Sequence, residues 1–367
     1  MSYETLQIIW WGLIGCLLIG FLIMDGHDMG VGLILPWVTA QDDERRVLIN
    51  TIGPHWEGNQ VWLILAAGGV FAVWPEVYGV IFSYFYGTMF LMLFGLFFRP
   101  VAFDYRNKFQ SERVRKIWDW SLFIGSCIPP LMMGILLGNI FQGVGFALNP
   151  DHTMMRSNHW EFSKQLYPLF CGLHLLVLLI FHGSVYLSWR TEGTLQNRIE
   201  RIFRGSIILL ILFFVCQTIW ISRVLIGFHA EPNGVITSTV GLWLNNFSHE
   251  TGLWLLPLGI PGEIVLTYLA IRGHFQRLAF IGSSSVIVST LLSLGAMMFP
   301  IIVPSSVHLS DTLTVSNSSS SLYSLRIMFG VTVFFIPIII FYTSWVYRVL
   351  SGKMTVALIQ SNDHTMY

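Results

Sequence analysis

The chain has 367 residues, 54% of them hydrophobic and only 11% charged, with a mean hydropathy of +0.65. Soluble domains carry about 25% charged residues, so the soluble class is excluded and an integral membrane protein is expected. The formal net charge is zero, which removes the basic footprint that nucleic-acid binding needs.

The first span is expected at about 7–34. The residues before it, Met1-Ser-Tyr-Glu-Thr-Leu-Gln7, carry no basic n-region, and no small-residue cleavage site follows. The run is therefore read as a retained helix rather than a signal peptide. It is apolar to Met24 and then reads Asp25-Gly-His-Asp-Met-Gly-Val-Gly32. Asp25 and Asp28 fall one turn apart on one face, and the glycines permit close helix contact. A short loop, Gln41 to Arg46, leads to the second span at about 53–74, which Pro75 stops. That span has a polar head, with His55, Glu57, Asn59 and Gln60 within six residues. Polar groups at membrane depth cost several kcal/mol each unless paired or wet. Either this head faces protein or a hydrated path, with Glu57 a functional carboxylate, or it is a helix end lying among lipid headgroups.

The third span is expected at about 77–98, followed by a basic loop with Asp104, Arg106, Lys108, Arg113, Arg115 and Lys116. The fourth, about 117–140, contains Pro129-Pro130 and should kink. A polar loop runs through His152, Arg156 and His159 to the fifth span, about 165–188, which holds His174 and His182. A loop with Arg190, Arg198, Arg201 and Arg204 precedes the sixth, about 205–228. The seventh (about 252–271) contains Glu263, and the eighth (about 278–300) ends at Met298-Phe-Pro300. A serine-rich loop, 314–324, leads to the ninth, about 325–348, and a short polar tail. No repeat or soluble segment of domain size interrupts residues 1–367, which read as one all-α polytopic domain.

With the N-terminus outside, the inner segments hold 16 of the 20 Lys and Arg residues. The outer segments hold only Arg156, Lys164, Arg223 and Arg326. The positive-inside rule then gives N-out, C-in. This orientation brings Asp25, Asp28, Glu57 and Asp104 toward the cytoplasmic face. Two readings follow. Close carboxylates cannot all ionise, so the cluster can pass protons. Alternatively, the acids pair with Arg99 or Arg106 and hold helix ends together.

Cys16, Cys127, Cys171 and Cys216 lie in apolar runs without CxxC spacing and read as packing residues. His174 follows Cys171 by three residues, but no second such pair completes a metal site, and none is assigned. His174 and His182 share one helix, ~12 Å apart along its axis, so they cannot clamp one haem iron. There is no phosphate-binding loop, HExxH or nucleophile elbow.

Six segments carry a resemblance. They are Phe21-Leu-Ile-Met-Asp-Gly-His-Asp-Met-Gly-Val-Gly32, Pro54-His-Trp-Glu-Gly-Asn-Gln-Val-Trp62, Phe97-Phe-Arg-Pro-Val-Ala-Phe-Asp-Tyr-Arg106, Gly125-Ser-Cys-Ile-Pro-Pro130, Met298-Phe-Pro300 with Pro304-Ser-Ser306, and Tyr342-Thr-Ser-Trp345. In this order, over nearly the whole chain, they resemble subunit II of the cytochrome bd-type quinol oxidases. The form of the Trp56–Trp62 segment looks like the cyanide-insensitive, or bd-II, branch.

The resemblance implies two four-helix bundles plus one helix, in a bacterial inner membrane. It implies a heterodimer with a haem-bearing subunit I that oxidises quinol and reduces oxygen to water. Subunit I is expected to hold two haems b and one haem d, with no haem ligand on this chain. A small single-helix accessory subunit, membrane lipid and a bound ubiquinone are further partners that the resemblance allows. Asp25, Asp28, Glu57 and Asp104 match acidic positions of the family, which implies a proton pathway. His55, Trp56, Asn59, Gln60 and Trp62 are candidates for an interface or an oxygen path, with simple packing the other reading of Trp62. Arg99, Arg106 and Pro300 are expected to be structural.

Two residues depart from the family pattern. His27 stands where the family often has an aromatic residue, and Glu263 lies where apolar residues are expected. The competing function is a stand-alone transporter or proton channel. It would normally show inverted repeats and matched broken helices, and no such pair is found.

Overall fold

A computed structural model describes residues 1–150, 153–156, 165–231 and 233–361. His152, His159 and Lys164 of the expected outer loop lie outside the described residues. The helices are α1 (Tyr3–Val38), α2 (Asp42–Ile52), α3 (Trp56–Val73), α4 (Pro75–Tyr84), α5 (Tyr86–Arg106), α6 (Glu112–Gln142), α7 (Leu166–Arg190), α8 (Gly193–Arg223), α9 (Asn245–His249), α10 (Leu255–Arg272), α11 (Gln276–Met298), α12 (Leu322–Val349) and α13 (Val356–Ser361). Among the described residues, eight helices are long and apolar enough to cross a membrane, and nine when α3 and α4 count as one bent span.

Several expected boundaries shift for physical reasons. The expected loop at 41–46 is the start of α2. Glu44 there accepts the Ala40 and Gln41 amides in a capping box, and the acids of its first turn suit the positive end of the helix dipole. The span expected from 53 begins at Trp56, because residues 53–55 form the turn between α2 and α3. Pro75 ends α3 as expected, and the chain bends by 119° into α4. The third expected span is therefore two helices, α4 and α5. The sixth begins at Gly193 rather than 205, since Leu195, Ile199 and Phe203 carry an apolar stripe inward beneath the basic residues. The expected kink at Pro129-Pro130 does not interrupt α6, where Gly95 of α5 makes room for Pro129.

Among the membrane helices, α5 packs on α6, α6 on α7, α7 on α8 and α11, and α10 on α11. The further helix, α12, lies against α1 and α3. α1 is the axle of the fold, packing on α3, α6, α7 and α11. Two glycines make its approach to α7 possible. A Cβ built on Gly30 would lie 2.1 Å from the Leu179 carbonyl oxygen, and one on Gly183 would lie 2.6 Å from the Gly30 carbonyl carbon. Close backbone approach is how membrane helices associate when lipid is as apolar as the side chains. Much of the outer surface of α8 and α12 is exposed apolar side chain, as a lipid-facing wall requires.

The connections segregate between the two ends. Hairpins β1–β2 (Phe146–Leu148, Met154–Arg156), β3–β4 (Ile226–Ala230, Ile236–Val240) and β5–β6 (Ile301–Val303, Leu313–Thr314) share one end. They are tied together by the Val144 amide on the Pro304 carbonyl (2.8 Å), Ser305 Oγ on the Phe146 carbonyl (2.6 Å) and Trp243 Nε1 on the Phe141 carbonyl (3.0 Å). Pro300 belongs to this end, its carbonyl accepting the Val315 amide at 2.9 Å. The other end gathers the charged segments: α2, the 107–111 loop, the α7–α8 turn and the stretch before α13. The Met354 amide donates to the Arg190 carbonyl at 2.8 Å, and Arg190 Nη1 donates to the Leu350 carbonyl at 2.7 Å.

Candidate functional site

Late in α1, where the sequence turns polar, Asp25 and Asp28 are both fully buried. Asp25 is held by Arg99 of α5 in a two-pronged pair, 2.8 Å from Nη1 and 2.7 Å from Nη2. The planar guanidinium fork matches a carboxylate in this way, and Arg99 is itself only 1% exposed. Asp28 is 3.9 Å from the same guanidinium and is served mainly by Asn59 of α3, whose Nδ2 donates to Oδ2 at 2.7 Å. The second oxygen, Asp28 Oδ1, is buried and accepts no hydrogen bond.

A ring of polar side chains surrounds that oxygen. His27 Nε2 is 3.2 Å away and His55 Nδ1 3.7 Å away. Each imidazole donates through its other nitrogen to a backbone carbonyl: His27 Nδ1 to Ile23 at 2.9 Å, His55 Nε2 to Thr51 at 2.9 Å. The Tyr347 hydroxyl of α12 lies 3.3 Å from His27 Nε2 and 3.4 Å from His55 Nδ1. Tyr186 of α7 seals the floor, its hydroxyl donating to the Thr51 carbonyl at 2.7 Å. Four spans, α1, α3, α7 and α12, therefore converge on this one polar knot.

The expected site residues divide by helical face. His55 and Asn59 are four residues apart and point inward together. Glu57, two residues from each, points the other way and is exposed. Glu57 lies outside the buried knot and lines a cleft of about 190 Å³, together with Trp56, Thr343 and Val346. His55, Asn59 and Tyr347 of the knot line the same cleft as Glu57. Gln60 and Trp62 are half-buried, and the Trp62 ring covers Gly20, where a Cβ would come within 2.8 Å. Trp56 stacks on Phe103 at 5.8 Å. Asp104 is also exposed, because Arg99, Phe103 and Arg106 occupy the inward stripe of α5.

A second ion-pair knot lies toward the charged end. Arg106 Nε donates to Asp119 of α6 at 2.5 Å, and its Nη2 donates to Asp42 of α2 at 2.6 Å. Arg115 also binds Asp42, and Arg198 binds Glu44. Burial opposes the Asp42 charge, but Arg106 and Arg115 outweigh it and hold its pKa below the ordinary carboxylate range. Glu44 is likewise held low: burial opposes its charge, and the Ala40 amide and Arg198 overcome it. Sequence reading missed Asp42 and Asp119 as partners of Arg106, and Tyr186 and Tyr347 as members of the upper knot. Asp119 was visible as a lone acid between Trp118 and Trp120; the tyrosines carried no local signal.

The family model of cytochrome bd terminal oxidase subunit II matches residues 6–350. This chain belongs to that family. It is 39% identical over 381 residues to cytochrome bd-I ubiquinol oxidase subunit 2 of Escherichia coli (strain K12), with both chains covered in full. It is 34% identical over 384 residues to the probable cytochrome oxidase subunit 2 of Haemophilus influenzae, again with both covered in full. Cytochrome bd ubiquinol oxidase subunit 2 of Bacillus subtilis is 30% identical over 357 residues, covering 96% of this chain and 98% of that one. A chain in the structure of bd oxidase from Geobacillus thermodenitrificans shares the fold, with a TM-score of 0.65 at 15% identity over 94% of this chain and 98% of that one. The chain is a multi-pass protein of the bacterial inner membrane.

Complexes of the bd family carry haem, and His182 of α7 has no ring nitrogen left for an axial bond. His182 uses both ring nitrogens, on Ser283 Oγ at 2.9 Å and on the Ile23 carbonyl at 3.0 Å. His174 Nδ1 is engaged by Gln217.

Glu263 has a partner after all. Ser289 of α11 donates to its Oε1 at 2.7 Å, while Oε2 is buried without one. Glu263→Gln keeps the acceptor and should leave haem content and turnover near wild type. Glu263→Leu removes it and should lower the unfolding midpoint by an amount equivalent to about 1 kcal/mol. Differential scanning of the purified complex reads both; a large turnover loss in the Gln variant at full haem content would show that the carboxylate itself works.

Proposed function

We propose that this chain is the subunit II of a quinol oxidase complex that oxidises quinol and reduces oxygen to water. In this reading it ligates no haem, braces a haem-bearing subunit I, and supplies part of a proton route. Full-length membership in the family supports the first part. The cleft that Glu57 shares with His55, Asn59 and Tyr347, and the hydrogen bond from Asn59 to the buried Asp28, support the last. Asp25 is the fixed member, since Arg99 grips both its oxygens; Asp104 serves as an outer collector at the surface. The stand-alone transporter reading has no observation in its favour once the family is known. The branch within the family is a finer reading that rests on the Trp56–Trp62 segment alone, and the named Escherichia coli relative is of the bd-I type.

Expression with and without subunit I tests this assignment. The lone chain should show no Soret band, and the pair should show one together with quinol-driven oxygen uptake. A stoichiometric haem kept by the lone chain, and lost on changing His174 or His182, would overturn it.

The charged end is proposed to face the cytoplasm, giving N-out, C-in. Reporter fusions at Lys108 and Asn317 should then report opposite sides, the first cytoplasmic. Matching sides, or the reverse order, would refute that orientation.

A further inference from the structure

The hydrogens available inside the upper knot can be counted. Asn59 Nδ2 carries two and the Tyr347 hydroxyl one; both histidines have already given theirs to backbone carbonyls. Asn59 Nδ2 is 2.7 Å from Asp28 Oδ2 and 2.8 Å from the Tyr347 oxygen, and the Tyr347 hydroxyl is 3.1 Å from Asn59 Oδ1. These three bonds use all three hydrogens. Asn59 Nδ2 also reaches His55 Nδ1 at 3.0 Å, but only by giving up one of them. His27 Nε2, His55 Nδ1 and Asp28 Oδ1 are left as lone-pair atoms, all within 4.8 Å of one another. Lone pairs do not face each other in a buried site without a positive charge between them.

We propose that His27, Asp28 and His55 form a buried site for a divalent transition-metal ion of the zinc class, with the Tyr347 hydroxyl at the fourth corner. Two imidazoles and a carboxylate are a donor set that zinc accepts. Metal–ligand bonds of 2.0–2.2 Å in a tetrahedron set donors about 3.4 Å apart. Four of the six edges are measured here: 3.2 and 3.7 Å from Asp28 Oδ1 to the histidines, and 3.3 and 3.4 Å from the Tyr347 hydroxyl to them. The surrounding shell is also of the kind metal ligands use. Each histidine is oriented by a backbone carbonyl, and the far oxygen of Asp28 is held by Asn59. The cleft lined by Glu57, His55, Asn59 and Tyr347 gives an ion its way in. The nearby charges, two carboxylates against the Arg99 guanidinium, favour a cation over a neutral ligand.

The test uses the purified complex of this chain with its haem-bearing partner. It is incubated with zinc chloride, desalted and analysed for metal, with haem content followed by the Soret band. One zinc per chain should survive desalting, and its X-ray absorption should show a four-coordinate N/O shell with imidazole scattering. His27→Phe fills the ring volume without a ligand, so it should lose that zinc at unchanged haem content. Tyr347→Phe should weaken binding at least tenfold. Zinc retained equally by wild type and His27→Phe would mark surface adsorption and overturn the proposal. So would a wild-type complex that binds none. In that case an infrared carboxylic-acid band that vanishes in Asp28→Asn would assign the positive charge to a proton instead.

Discussion

Arg99→Leu is expected to abolish most of the assembled, haem-containing complex. The change leaves Asp25 and Asp28 fully buried with no cation beside them. Breaking a buried ion pair from one side costs about 3–5 kcal/mol, because the remaining charge is neither solvated nor matched. That is a large share of the ~5–15 kcal/mol that separates folded from unfolded states in typical proteins. Arg99→Lys keeps the charge but cannot match both carboxylate oxygens, so an intermediate yield is expected. Arg99→Leu combined with Asp25→Leu removes both members and should recover part of the lost yield, which a simple cavity or misfit at position 99 would not allow. The measurement is haem per milligram of membrane protein with the thermal midpoint of the purified complex. Wild-type values in Arg99→Leu would show that the pair contributes nothing to holding α1 against α5.

The same pair marks the boundary of what the sequence could say. Hydropathy located the spans, because a helix in lipid must satisfy its backbone internally and cover itself with apolar side chains. Pro75 and the Gly30 region were legible for local reasons: one lacks an amide hydrogen, the other lacks a side chain. The choice between proton transfer and ion pairing for the acids was not legible, since it depends on which face of α5 turns inward. The pairing differs residue by residue. Asp25 is paired, Asp28 is half-satisfied, and Glu57 and Asp104 are outside the pairs altogether. His27 stood out in the sequence only as an unusual residue beside Asp28. Its neighbours His55 and Tyr347 come from α2–α3 and α12, and no spacing rule joins residues 27, 55 and 347. The all-charged first residues of α2 suit a loop as well as a capped helix start at a membrane surface, so residue type alone does not separate the two.

Glu57 carries the second large expectation. It is exposed at the mouth of the cleft whose inner wall is His55, Asn59 and Tyr347, with Asp28 directly behind them. Oxygen reduction consumes protons, and the site that consumes them is proposed to lie in the partner subunit, so a carrier at this mouth must take and release a proton repeatedly. Gln and Ala do neither, whereas Asp does both. Glu57→Asp should therefore retain most of the quinol-driven oxygen uptake per haem. Glu57→Gln should lower it by roughly an order of magnitude, less than the ~10²-fold typical of a group acting at the reacting bond itself. Quinol affinity should hold, because the quinol site, like the haems, is proposed to lie on subunit I. An exposed side chain contributes little packing, so haem content should also hold; this separates Glu57 from Arg99, whose loss acts through assembly. Proton uptake in oriented vesicles should fall in step with oxygen uptake on the side where the Lys108 reporter is found. Unchanged turnover in Glu57→Ala at wild-type haem content would remove Glu57 from the route. It would leave Asp28 and its ring of histidines without an acidic connection to the surface through this cleft.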